Sequence, residues 1–492
     1  MNPSRRTANV SVVIDEPPGS TVSDRPRPSP QNFYAFVPFA CAQYGAPFCV
    51  KINVEEQAEY IRVEEKSKKP RSQRPRDVLP VHTSRQAVTA EEQESDETER
   101  RSDVVTVVLT AVQDAAGNLL ELVFDRSRIP NLLIKVIGIS ARFQPQLYKL
   151  TVKWTPLSLT AMYQFSKIIS QLTEICLDGS PLAGRNYNML LEPPSRLYYL
   201  SLMGCKLDDE DCVLFAELLT PPRAAASSLH VLLLANNKIG NEGAHALAQT
   251  LRTNRSLHYL NLAGNRITDS GAISILRTLM EFPLTKEESR AKSLRHIQFL
   301  KQRADVYAHF MKELTKEDKS VFDIRMTKRI KPLRGQRTSP EYSAFDTLAQ
   351  RANVMTDKLI GTFSDPFTSD KTVVHGEQLY CVGNMALCGL NLSYNDLRFP
   401  SITCLWDVLK QQHGLVTTRS EPGLLRVRVE GNNLPVSCCE ALQCIDELLE
   451  HAVARISRLV LPGIGKGTRG VTTKSKLTAN SRLGMSHKPP TV

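Results

Sequence analysis

The 492 residues carry 62 Lys and Arg against 51 Asp and Glu, a formal net charge of +11, with 41% hydrophobic and 6% aromatic residues. That length exceeds one ordinary domain, although a repeat array can absorb it as a single body. No apolar run long enough to span a bilayer occurs, and Met1–Val10 carries arginines without an apolar core, so neither a membrane span nor a secretion signal is expected.

Residues 1–104 read as a mostly disordered N-terminal region. They hold a Pro- and Ser-rich start, a basic run from Lys66 to Arg76 and an acidic run from Glu91 to Glu99, a composition that buries little. One island differs. Residues 32–50 concentrate Phe33, Tyr34, Phe36, Val37, Phe39, Tyr44 and Phe48, which suits either a cap docked on the end of the fold or a hook into another protein.

Residues 105–282 repeat one pattern with growing clarity. It starts atypically at Leu120-x-Leu122-x-Phe124 with the apolar run Leu132 to Ile139. It continues at Leu147-x-x-Leu150-x-Val152-x-x-Thr155, Leu172-x-x-Ile175-x-Leu177-x-x-Ser180 and Leu197-x-x-Leu200-x-Leu202-x-x-Cys205. Two full copies follow. Leu229, Leu232, Leu234, Asn237, Ile239, Gly243, Ala244, Leu247 and Leu251 return 28 residues later as Leu257, Leu260, Leu262, Asn265, Ile267, Gly271, Ala272, Ile275 and Leu279. This is the leucine-rich repeat pattern. Its alternating leucines lie on one side of a short strand, and Asn237 follows where the chain turns and its amide can satisfy buried backbone groups. The following helix turns one apolar face inward. A single such unit cannot bury its own core, so the copies must stack.

Residues 283–384 interrupt the array with a charged helical insertion. Leu294, Ile297, Phe299, Leu300, Tyr307, Phe310, Met311 and Leu314 predict an amphipathic helix over 284–314; irregular chain should follow to Asp370, with a short helix near 341–359. Residues 385–452 return to the repeat, with Asn395 and Asn432 at the asparagine position. The fold class is therefore α/β: a leucine-rich repeat solenoid of about eight units, a curved parallel sheet with outer helices, interrupted once and ending in disordered tails. Residues 453–492 form a basic tail: Arg455, Arg458, Lys466, Arg469, Lys474, Lys476, Arg482 and Lys488 occur there with no acidic residue. Such a tail attracts acidic surfaces without choosing among them, and no nucleic-acid motif accompanies it.

No catalytic or cofactor-binding constellation is found, and no cofactor is expected. Gly463 to Thr468 misses the phosphate-loop spacing. His230, His245 and His258 are taken to occupy different repeat positions and so not to converge on a metal. Eleven cysteines without a C-x-x-C suit a reducing, cytoplasmic compartment, and Cys176, Cys205, Cys212, Cys388 and Cys404 read as small core residues. The sequons at Asn254 and Asn391 carry no weight without a secretory route. The expected site is the concave sheet face, where Tyr199, Met203, Val231, Leu233, Tyr259 and Asn261 make an unusually apolar patch. A partner, or the chain's own N-terminal or inserted segment, should cover it. Lys149 and Lys153 flank the patch on one side, Arg426 and Arg428 on the other. Asn237, Asn265, Asn395 and Asn432 are expected to form a structural ladder.

The run from Asn254-Arg255-Ser256-Leu257 through Asn265-Arg266-Ile267 to Glu281-Phe282-Pro283-Leu284-Thr285 resembles the leucine-rich repeat-containing protein 71-like family. So do Gly383-Asn384, Leu390-Asn391-Leu392, Gly423-Leu424-Leu425, Asn432 and the island Ala40 to Gly45. The resemblance spans Val104 to Glu450 but not the tails. It implies a structural, non-catalytic component of the ciliary or flagellar axoneme, in the cytoskeleton, with other axonemal or microtubule-associated proteins as partners. The 28-residue unit also resembles that of ribonuclease inhibitors, which implies a soluble regulator, and of GTPase-activating proteins for Ran. The latter carry an acidic tail where this chain has a basic one.

Overall fold

The computed structural model describes residues 27–57, 105–182, 184–326, 340–416 and 421–460. The basic and acidic runs of the N-terminal region and the tail beyond Val460 lie outside the described residues.

The aromatic island forms helix α1 (Phe33–Gln43) and strand β1 (Phe48–Glu56). The Asn32 side chain caps α1 by accepting the Ala35 N–H at 3.2 Å. Phe33, Val37 and Cys41 are buried between α1 and helix α2 (Asn131–Ala141). Three bonds tie the island down: Ser140 Oγ donates to Pro30 O at 2.7 Å, Gln144 Nε2 to Gln31 O at 2.9 Å, and Tyr34 Oη to Gln113 Oε1 at 3.0 Å. Strand β1 runs parallel to β2 (Val105–Gln113), and β2 makes an antiparallel hairpin with β3 (Leu119–Asp125). Asp114 closes that turn by accepting the N–H groups of Ala116 and Asn118 at 2.9 and 2.8 Å. The sheet thus gains two strands ahead of the first repeat, which the repeat pattern gives no means to see.

The repeat strands follow in register: β4 (Lys149–Lys153), β5 (Glu174–Cys176), β6 (Tyr199–Ser201), β7 (Val231–Leu233) and β8 (Tyr259–Asn261). Their inward leucines, Leu200, Leu202, Leu232, Leu234, Leu260 and Leu262, are all fully buried. The outer layer comprises α2, α3 (Leu159–Ser166), α4 (Asp209–Leu218), the short α5 (Ala225–Ser228), α6 (Asn241–Thr253) and α7 (Asp269–Arg277). The third unit closes with a 3₁₀ turn at Tyr187–Leu190 instead of an α-helix. There the buried Tyr187 hydroxyl accepts the Leu182 N–H at 2.7 Å and donates to Ser180 O at 3.1 Å, filling the space a helix would take.

After α7 the chain leaves the array through β9 (Phe282–Pro283). Helices α8 (Lys286–Met326) and α9 (Pro340–Ile360) form an antiparallel arm tied by Arg295 to Asp365 at 2.6 Å and Arg303 to Asp357 at 3.0 Å. The expected helix over 284–314 runs on as α8 to Met326, into chain that was expected to be irregular from Thr315, and α9 covers the short helix expected near 341–359. Strands β10 (Thr372–His375) and β11 (Gln378–Cys381) return to pair with β9. A small core of Phe282, Leu284, Phe367 and Cys381 roots the arm. Arg252 adds a two-pronged pair with Glu288 at 2.6 and 2.7 Å and lies over the Phe282 ring at 4.1 Å.

The array then resumes without a break. Strand β12 (Gly389–Asn391) pairs directly with β8, and β13 (Arg426–Arg428) with β12, each followed by a helix, α10 (Phe399–Val416) and α11 (Cys439–Val460). Helix α11 therefore reaches past residue 453, where the basic tail was expected to begin. The ten-stranded sheet runs β1-β2-β3-β4-β5-β6-β7-β8-β12-β13 and is parallel except at β2–β3.

Three sets of polar side chains join the units. In the first, Asn265 Nδ2 donates to Leu234 O in the preceding unit and Leu262 O in its own, both at 3.0 Å, while its Oδ1 accepts Ile239 N–H at 3.1 Å. Asn237, Asn395 and Asn432 repeat this geometry, Asn395 reaching back across the insertion to Leu262 O at 2.9 Å. In the weaker units Ser180 and Cys205 make part of the same set, to Val152 O and Leu177 O at 3.1 Å each. In the second set, Asp209, Asn241 and Asp269 each sit in the first turn of one helix and cap the next. Asp209 Oδ1 accepts the N–H groups of Gly240 and Gly243 at 2.6 and 2.9 Å, Asn241 those of Thr268 and Gly271 at 3.0 and 3.1 Å, and Asp269 those of Arg398 and Ser401 at 3.0 and 3.2 Å. The third set binds the far ends of the units: Asn254, Asn384 and Gln412 donate to carbonyls at the C-terminal end of the preceding unit's helix and accept the N–H groups that lead into the next strand. Asn254, an idle sequon by its sequence, is thus fully buried.

Replacing Asn265 by Ala leaves the Ile239 N–H and two carbonyls with fewer partners in a buried turn. A loss of about 1–3 kcal/mol is expected. Chemical denaturation of the full chain checks it; an unchanged midpoint and slope would remove the ladder from the account of stability.

Candidate binding face

The parallel register sets outward side chains in rows across the strands. One row reads Glu121, Lys149, Glu174, Tyr199, Val231, Tyr259, Gly389, Arg426, and the next contains Thr151, Cys176, Ser201, Leu233, Asn261, Asn391 and Arg428. Neighbouring rungs stand about 4.8 Å apart. Tyr199, Val231 and Tyr259 are therefore consecutive, with Leu233 and Asn261 beside them and Met203 at the turn that follows β6. All six are half-buried. Burial pushes the Tyr199 phenol up to about 12. The Tyr259 ring lies across Gly389, where a Cβ would collide with it, so glycine in β12 is what lets that ring spread over the sheet.

The two flanks differ. Lys149 stands between Glu121 and Glu174 at 3.6 and 3.7 Å, and Glu121 also accepts Thr151 Oγ1 at 2.6 Å. The N-terminal flank is charged, as expected from Lys149 and Lys153, and Glu121 and Glu174 make it an acid–base row. Arg426 and Arg428 keep the other flank basic. Among the described residues the inserted arm is rooted at the helix ends near Arg252 and Phe282, and the N-terminal segment caps the first strands; the described parts of both lie away from the patch.

At the edge where the chain enters the strands, Tyr198, His230 and His258 stack with ring centroids 4.5 and 4.9 Å apart, the two imidazoles within 2° of parallel. The sequence reading had placed the histidines at different repeat positions. His230 and His258 in fact share one position, the same 28-residue offset that relates Leu229 to Leu257, and only His245 lies elsewhere, on α6. The offset was a sufficient signal. Each Nδ1 meets a carbonyl, Ser228 O at 2.8 Å and Ser256 O at 2.5 Å, which holds the rings upright. No group of three His, Cys, Asp or Glu among the described residues could hold a metal ion.

Comparison with known proteins fits this geometry. A family model described as leucine rich repeat matches residues 225–248 and 253–276. The chain carries leucine-rich repeats. No curated protein matches it. Among 47 matching chains of solved structures is the tropomodulin C-terminal domain of Caenorhabditis elegans, 12% identical with a TM-score of 0.24 over 52% of this chain and 84% of that one. Leucine-rich repeats point to a scaffold for protein–protein interaction and are typically non-catalytic. No helix among the described residues is long and apolar enough to cross a membrane.

The cysteines give a chemical check on the face and core. Burial pushes the Cys41 and Cys205 thiols up to about 11 and Cys176, on the concave row, up to about 12; Cys212 is raised as well. Cys49 and Cys439 are exposed. At pH 8 a thiol with a value near 11 is only about 0.1% thiolate. Iodoacetamide is expected to label Cys49 and Cys439 in the native chain and the other four only after unfolding, as peptide mass analysis would report. Native labelling of Cys176 at the rate of Cys439 would mean the concave face is looser than described.

Proposed function

We propose that this leucine-rich repeat protein is a non-catalytic assembly element of the ciliary or flagellar axoneme, and that it holds a partner protein on its concave face. The observation that carries the binding role is the continuous row Tyr199, Val231 and Tyr259 with Leu233 beside it, an apolar centre between two charged flanks. Most side chains on a solvated sheet face are polar, so an apolar row of this length suits a contact that excludes water. Aromatic anchors amid charged rims are the usual anatomy of such contacts. The axonemal setting is supported by the family resemblance of Asn254 to Thr285 and of the segments after the insertion. The 28-residue unit also supports a soluble regulator that occludes its target with the same face; the two readings differ in where the protein resides.

Two measurements test this. Tagged protein in a flagellated cell is expected to stay in the detergent-insoluble cytoskeleton and to require salt for release; complete release by detergent alone would favour the soluble regulator. Replacing Leu233 and Tyr259 together by Glu is expected to leave circular dichroism and melting near wild type while reducing recovery of crosslinked partners at least tenfold, or about 1.4 kcal/mol. An unchanged partner set would move the site off the concave face.

A further inference from the structure

We propose that the open C-terminal edge of the sheet is a second docking site, which takes an extended acidic–apolar–acidic segment of a partner protein as an added strand. The site lies on β13, at the end of the array and distinct from the apolar row of the concave centre.

The core is left unfinished there. The inward positions of the preceding unit, Leu387, Leu390, Leu392 and Leu397, are at most 1% exposed; of their counterparts in the last unit only Leu424 is buried, while Val427, Val429 and Leu434 are half-exposed. Val436, just beyond, is 80% exposed. A repeat array needs a polar terminal unit to close its core, and this one presents valines instead.

The backbone is unfinished in the same place. One unit earlier, Leu392 N–H and Tyr394 N–H donate to Arg428 O and Glu430 O, each at 2.8 Å, and Cys388 O accepts Leu425 N–H at 2.8 Å. The matching groups of the last unit, Val429 N–H, Gly431 N–H and Leu425 O, have no partner among the described residues. They form the donor–donor–acceptor edge that an extended peptide pairs with.

Charge selects the occupant. Arg426 and Arg428 project to the concave side on either rim of Val427, next to the uncharged Gly389 and Asn391, and among the described residues no carboxylate pairs with them. An added strand with acidic residues opposite the two arginines places its intervening apolar residue over Val427 and the open core. Two copies of this edge pairing antiparallel about Val427 would set Arg426 against Arg428, which disfavours self-pairing. The chain's own basic tail is repelled, and its acidic run Glu91 to Glu99 contains no apolar residue to fill the core. Neither of these two segments of the chain suits the edge, and the occupant is assigned to another protein.

The test uses the full chain and a fluorescent peptide of alternating glutamate and valine, with binding followed by anisotropy at moderate salt. Saturable binding is expected. It should weaken at least about tenfold when Arg426 and Arg428 are both replaced by Glu, since two attractive cross-strand pairs become repulsive. A charge-reversed lysine–valine peptide should bind that variant better than it binds wild type. Methylating the peptide's backbone nitrogens on its pairing edge should abolish binding at unchanged charge. The Leu233→Glu, Tyr259→Glu variant should bind the peptide normally, so this site and the concave face fail or stand independently. Binding that survives the Arg426 and Arg428 changes would place the peptide on the basic tail and overturn the proposal. So would binding indifferent to backbone methylation. Self-association abolished by the same two changes, with no peptide bound, would assign the edge to a second copy instead.

Discussion

The structure depends on one constraint: a turn that leaves the sheet inside the molecule must find partners for its backbone within the stack. Asn265 meets it by bonding two carbonyls and one N–H that belong to different units, so the amide both completes its own turn and fastens the unit before it. Because each such asparagine reaches backward, neighbour-to-neighbour bonds fasten the units along the continuous apolar core. The helix ends obey the same logic. Asp209 and Asn241 give their oxygens to the next helix, so a unit's cap is supplied by its neighbour. No unit is complete by itself, and cooperativity follows from that directly.

Much of this was legible in the residues. Alternating leucines fix the strand, and a period of 28 residues fixes the unit, so the two full copies served as a template for the fainter ones. What stayed hidden lacks a period. The β2–β3 hairpin and β1 occur once, and nothing in their residues says that β1 will lie parallel to β2 across a long stretch of chain. Asn254, Asn384 and Gln412 do the same job with different side chains and spacings, so they cannot be matched as a column. The helical extent of α8 was underread because its far half offers charged residues where an amphipathic pattern was sought; its first half is tied to α9 by Arg303 and to the chain after α9 by Arg295. The concave residues were placed by strand alternation alone, and the structure sets them side by side. The acidic partners of Lys149 on that flank were not seen because they stand on the neighbouring strands, one unit of sequence away on either side.

The same alternation explains why the face is mixed in character. Inward positions must be apolar for the stack to exist, whereas outward positions are free, and the chain uses that freedom differently along the sheet. Ion pairs occupy the first strands, rings and aliphatic groups the middle, and guanidinium groups with no carboxylate partner among the described residues the end. The turn position after each strand shows a related economy of space. Its residue is left-handed in every unit, from Arg126 and Trp154 through Asn236 to Tyr394, and the bulky members Trp154, Asn236 and Tyr394 each lie over the glycine of the following unit. Glycine there gives the preceding unit's bulky side chain room to lie across the turn.

The arm leaves the array at Phe282 and comes back at Cys381, residues that are paired with each other in neighbouring strands. Departure and return are thus one doorway, and the array on either side, from β8 to β12, is joined as though nothing intervened. The entropy of closing a loop grows only slowly with its length. Whatever hangs from that doorway can lengthen, shorten or be exchanged with little strain on the frame. The solenoid therefore acts as a fixed mount with a single interchangeable fitting, and the arm is the part of the molecule free to acquire new duties while the rest keeps its shape.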